Sequence, residues 1–181
     1  MKKTLAIAAM AAPAVLAAEA PDSSGPAFEA SRIRHSGSVH VDAPPEHAFP
    51  LFTAIGEKLW APGWEPVILS GGDGRERGSV WLTNHSGEQT IWLVVDYDPD
   101  EFHARYARIT PSSRAGSVEV RARPDGDGGT DVDVTYELTA LNDTGNHELA
   151  DIDEQHFTHM MMEWERLIRD ADIEYPVRFD D

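Results

Sequence analysis

The chain has 181 residues, enough for one domain with a sizeable core at the usual size of roughly 100–200 residues. It contains no cysteine, which excludes a disulfide framework, a zinc–thiolate site and a thiol nucleophile. Thirty-two acidic residues against fifteen basic ones leave a net charge of −17, a poor match for nucleic acid or an anionic membrane.

The first twenty residues, "MKKTLAIAAMAAPAVLAAEA", read as a secretory leader. Lys2 and Lys3 form the basic start, an alanine-rich apolar run follows, and small residues near Ala17 to Ala20 offer cleavage points. The apolar run is shorter than the roughly 20 residues of a permanent membrane anchor. The expectation is export to the periplasm or the medium, with no stable membrane anchor. Apart from the leader pair only Lys58 is a lysine, against twelve arginines. A carboxylate-rich, lysine-poor surface suits a saline medium, where screening weakens self-repulsion. Residues 21–30, "PDSSGPAFEA", have linker composition, a domain is expected over 31–172, and 173–181 form a C-terminal tail.

Within the domain, "IRHSGSVHV" alternates Ile33, Val39 and Val41 with polar positions and predicts a first strand. "DAPPEHAFPLFT" predicts short helical structure, with Asp42 as its cap, prolines in its first turn and Pro50 ending or kinking it within two turns. "EKLWAPGWE" is a loop carrying Trp60 and Trp64, and "PVILS" a second strand. "SVWLTNH" and "QTIWLVVDY" flank Ser86–Gly87, which predicts a two-residue hairpin pairing Thr83 with Thr90 and Trp81 with Trp92. "EFHARYARI", "GSVEVRAR" and "TDVDVTYEL" supply three more strands. Val118 and Val120 oppose Glu119 and Arg121, and Val132, Val134, Tyr136 and Leu138 oppose acidic and hydroxyl positions, so the sheet has one wet face. "DGDGG" between the last two reads as a hairpin turn; it lacks the spacing of a calcium loop.

The chain closes on "QHFTHMMMEWERLI". At about 100° per residue Phe157, Met160, Met161, Trp164, Leu167 and Ile168 share one stripe, which Leu149 and Ala150 extend upstream. His156 and His159 are three apart with no acidic residue between them, unlike the i, i+4 metal pair. No metal and no cofactor are expected. No nucleophile elbow, phosphate loop or dinucleotide fingerprint is present.

One strand, helical turns, six strands and a long amphipathic helix predict an α+β fold in which the helix lays its stripe across a curved antiparallel sheet. "VHVDAPPEHAFPLF", the tryptophan loop, the six strands and "EWERLI" resemble the START-like (SRPBCC) superfamily from about Ser31 to Ala171. That superfamily includes birch-pollen-allergen-like proteins, lipid-transfer domains and polyketide cyclases. The resemblance implies a helix-grip fold: about seven strands around a long C-terminal helix, two short helices after the first strand, and an apolar cavity between sheet and helix. Met160, Met161 and Trp164 would then be core and cavity wall, a role that adaptable methionines suit. Trp60 and Trp64 would form a rim, and Trp81, Trp92, Tyr106 and Tyr136 a wall with polar tips. Core filling is an equal reading for each.

His85, Asp153 and Arg108 are candidates for a polar end of the cavity. Their plainer readings are a turn neighbour, a helix's first turn and a strand end. No residue is assigned a catalytic role. The function expected is binding or carrying of a small hydrophobic or aromatic molecule, favoured over a cyclase-, dehydratase- or hydrolase-like enzyme in the same cavity. A third reading is a protein-interaction module using the Trp60–Trp64 loop and the acidic surface. Converging His, Asp or Arg side chains would favour the enzyme, an apolar pocket the carrier, and an exposed tryptophan patch the interaction module.

Overall fold

The computed structural model describes residues 28–175, apart from Ser86. The expected leader, most of the linker and most of the C-terminal tail lie outside the described residues. Seven strands form one antiparallel sheet: β1 (Arg32–Val41), β2 (Val67–Ser70), β3 (Val80–His85), β4 (Glu88–Asp98), β5 (His103–Thr110), β6 (Arg114–Pro124) and β7 (Thr130–Ala140). Their order is β1-β7-β6-β5-β4-β3-β2, a meander from β2 to β7 with β1 added beside β7. Helix α1 (Pro45–Ala48) and two 3-10 turns (Phe49–Phe52 and Gly56–Leu59) connect β1 to β2; α2 (Asp143–Ala150) and α3 (Glu154–Asp170) follow the sheet. Pro44, not the expected Asp42, holds the cap position of α1, and no side chain caps it.

The β3–β4 hairpin has the expected register, with Thr83 opposite Thr90 and Trp81 opposite Trp92. Its two indoles stack with centroids 6.0 Å apart, and Trp92 Nε1 donates to Thr83 Oγ1 at 2.9 Å. Val118, Val120, Val132, Val134 and Leu138 are buried, whereas the opposite face carries ion pairs such as Arg34–Glu137 and Arg123–Asp133. Those pairs are exposed and contribute little stability. A register shift between Val94 and Asp96 bends β4 against β5. In the "DGDGG" turn the Asp125 carboxylate accepts from the Asp127 and Gly129 amides, which organises the hairpin locally.

The C-terminal helix differs from its expected extent. Leu149 does not continue the α3 stripe: it belongs to α2 and packs with Leu138 and Ala140 in a small separate cluster. Asn142 caps α2 by accepting from the Gly145 amide at 2.9 Å. Asp153 starts α3 in the same way, its carboxylate accepting from the His156 amide at 2.7 Å. Two successive N-caps therefore interrupt what periodicity alone joins. Along α3, Phe157, Met161 and Ile168 are buried and Met160, Trp164 and Leu167 are partly buried against the same core, while His156, His159 and Met162 are exposed. Contacts of α3 with the sheet concentrate on β1, at one edge. The middle of the inner face, from β3 to β6, is left to other cover.

Candidate functional site

That cover is the irregular segment after β1. Gly56 lets it fold tightly, since a Cβ there would lie 1.9 Å from the Pro50 carbonyl oxygen. Trp60 Nε1 donates to the Leu51 carbonyl at 2.8 Å and Trp64 Nε1 to the Ala54 carbonyl at 2.7 Å, so both indoles are tied to the segment that carries them. Between this segment, the inner face of β3–β7 and α3 lies a cavity of about 340 Å³. That is the size of a small-molecule site.

Trp60, Trp64, Trp81, Trp92, Tyr106, Tyr136, Met160 and Trp164 all line it, as do His85 and Arg108. The aromatic rings make contact in two groups: Trp64 meets Trp92 edge-on at 5.8 Å and Trp92 stacks on Trp81, while Trp60 meets Trp164 at 5.4 Å. Trp60 is only 5 % exposed, so it is an inner wall residue rather than the expected rim. Trp64 is half-buried against the core, and the Trp60–Trp64 loop presents no exposed tryptophan patch. Of the two features named for an interaction module, the tryptophan patch is therefore not exposed. His85, with Asn84 and Glu88, stands at the exposed hairpin end of the cavity.

Two expected residues lie elsewhere. Met161 is 3 % exposed and sits over β1, where a Cβ on Gly37 would come within 2.7 Å of its Cγ. The missing side chain at Gly37 makes the socket that Met161 fills, and its neighbour Met160 turns to the cavity. Asp153 is an exposed helix cap, its carboxylate engaged by the His156 amide.

The wall is not wholly apolar. Arg108 faces Trp92 on β4 and Gly116 on β6 in the strand register. Its guanidinium carbon is 5.5 Å from the Trp92 ring centroid and 5.9 Å from that of Tyr136. Arg114 lines the same end and is engaged by Glu148, Ser113 and, at 3.6 Å, Glu88. Burial holds its basicity below the usual value. Glu88 also accepts from the Ser112 and Ser113 hydroxyls, which together with the charges of Arg114 and Arg108 hold it below the usual carboxylate range.

A residue not singled out from sequence completes the site. Glu57, in the second 3-10 turn, points its carboxyl among the cavity residues, and burial pushes its pKa from 4.5 up to about 8. It is therefore held largely as the neutral acid near neutrality. Burial also pushes the Tyr136 phenol up to about 12, with the Arg108 charge opposing, and raises the Tyr106 phenol well above its ordinary value, with the Glu57 charge adding in each case. Tyr106 donates to the Phe52 carbonyl at 3.1 Å. Glu57 lies in a turn with no periodicity to mark it, and a lone Glu beside a Lys reads as solvent-facing. Among the described residues no cluster of three or more His, Asp or Glu side chains has the arrangement of a metal site.

Several solved structures share this fold. Norcoclaurine synthase from Thalictrum flavum superposes with a TM-score of 0.55 at 13% identity, over 77% of this chain and 88% of that one. The same protein in complex with dopamine and hydroxybenzaldehyde gives 0.54 at 15% identity, over 81% and 90%. The ginseng major latex-like protein 151 from Panax ginseng gives 0.58 at 13% identity, over 80% and 99%. At these identities the likeness is one of fold. No curated protein sequence matches the chain. The family model described as polyketide cyclase / dehydrase and lipid transport matches residues 32–161, most of the domain, and the chain belongs to that family.

Proposed function

We propose that this protein binds and carries a small, largely aromatic molecule in the cavity between sheet, helix and tryptophan loop. The observation that carries the reading is the wall itself. Five tryptophans, two tyrosines and Met160 surround a space of about 340 Å³, an aromatic lining of the kind small-molecule sites use. The fold neighbour solved with dopamine and hydroxybenzaldehyde supports the use of such a cavity for aromatic molecules. The lysine-tipped leader supports an exported setting, in which the protein would meet its ligand outside the cytoplasm.

A second reading, acid–base chemistry of cyclase or dehydratase type in the same cavity, is favoured by one observation. Glu57 is a buried carboxyl whose pKa of about 8 suits proton donation near neutrality. The carrier reading is tested by native mass spectrometry of protein purified from its source cell, with and without incubation in an extract of that cell's small molecules. The expected result is one bound aromatic compound per chain. Protein that stays ligand-free under both conditions would sink the reading. Turnover of the bound compound, lost in Glu57→Gln, would favour the enzyme instead.

A further inference from the structure

We propose that the ligand is an aromatic anion, a carboxylate in its simplest form, whose oxygens sit on the Arg108 guanidinium while its ring lies against the tryptophan wall. The proposal rests on the cavity being a binding site and adds the chemistry of what it selects.

Three observations converge on Arg108. Its Nε is buried with no hydrogen-bond partner, and among the described residues no carboxylate lies within ion-pair distance of it. A buried guanidinium N–H ordinarily finds an acceptor, because it is costly to leave unpaired. What holds it is ring surface: Trp92 and Tyr136 flank it at 5.5 Å and 5.9 Å, close enough for cation–π attraction. Those contacts supply the guanidinium with no hydrogen-bond acceptor in the plane of its N–H donors.

The neighbouring charges leave Arg108 without a direct ion-pair partner among the described residues; it acts on the Glu88 carboxylate only as a charge at longer range. Arg114, the other cation on the wall, is already engaged by Glu148 and Glu88. Glu88 is in turn shared among Ser112, Ser113 and Arg114. Glu57, the remaining carboxyl of the cavity, is held neutral by burial and supplies no counter-charge near neutrality. A second donor, Trp81 Nε1, is also buried on a lining residue without a partner. Donors without acceptors on an aromatic wall call for a flat molecule that brings its own anionic oxygens, which the guanidinium fork matches in geometry. The net charge of −17 does not prevent this. Beyond a Debye length of about 8 Å in physiological salt the surface charge is largely screened, whereas the guanidinium is in contact.

The test compares three probes of one shape by titration calorimetry at neutral pH and physiological salt: 2-naphthoate, the neutral 2-naphthamide and the cationic 2-naphthylmethylammonium. The wild type should prefer the acid over the amide by at least about tenfold, the worth of a charge-assisted pair, and should bind the ammonium most weakly. Arg108→Met should remove that preference and leave the amide within about threefold, and Arg108→Lys should restore part of it. The wild-type preference alone decides the matter if Arg108→Met fails to fold. Equal binding of acid and amide, or a preference for the ammonium, overturns the anion proposal and leaves the aromatic cavity standing. No binding by any of the three overturns both.

Discussion

Replacing Glu57 by glutamine probes the least expected feature of the cavity wall. In the folded chain burial raises this carboxyl from 4.5 to about 8, so between those values the folded state holds a proton that the unfolded state has released. The sign follows. The stabilising contribution of the protonated form is fully present below about pH 4.5 and is lost as the pH rises through about 8. The slope is at most about 1.4 kcal/mol per pH unit, which sums to an upper limit of about 5 kcal/mol over the window. Water entering the cavity lowers that limit, and about 2–3 kcal/mol is the expected effect. Glu57→Gln keeps the size of the side chain and does not titrate. Its stability relative to wild type should therefore rise by about 2–3 kcal/mol between about pH 5 and about pH 8. Urea denaturation of both proteins at several pH values reads this directly, because the other titrating groups cancel in the difference. Parallel curves would mean that Glu57 is solvated and ionised in the fold, which would refute the argument.

The two adjacent methionines should separate cleanly. Met161→Ala removes a buried side chain over Gly37 and should destabilise the protein by about 2–5 kcal/mol, whereas Met160→Ala enlarges a cavity and should lower stability by less than half as much, measured by the same denaturation. Asp153→Ala loses the cap of α3 and should cost about 0.5–2 kcal/mol with ligand affinity unchanged in calorimetry; a drop in affinity without a drop in stability would return Asp153 to the site. Exported protein from the source cell should begin between about Ala18 and Pro21, and N-terminal sequencing that finds Met1 retained contradicts the leader.

Much of the fold was legible because its signals are local. Alternation in β6 and β7 marks the inner face, and the two-residue turn after His85 sets the pairing of Trp81 with Trp92. The stripe of α3 was equally plain. What periodicity could not supply was the azimuth of that helix against the sheet. Met160 and Met161 both fall on a broad apolar face, and only the socket at Gly37, a long-range pairing, decides that Met161 is core and Met160 is wall. The break between α2 and α3 was written in Asn142 and Asp153, cap residues that a continuous stripe overrode. Glu57 was hidden for another reason: its burial is imposed by how the 49–64 segment closes over the sheet, and the short turn that carries it has no face of its own. Arg108 was visible as an inward position on β5, but its lack of an ion-pair partner among the described residues is a property of three-dimensional packing.

The central claim is that the space beneath Trp60, Trp64 and Met160 is a binding site. It is tested most directly by calorimetric titration of wild type and Met160→Trp with a panel of neutral one- and two-ring aromatic compounds. The account predicts saturable binding of at least one compound at one site per chain, abolished in Met160→Trp, whose added bulk occupies the cavity while the far-UV circular dichroism stays as in wild type. Absence of saturable binding across the panel, or binding left intact in Met160→Trp, would contradict it.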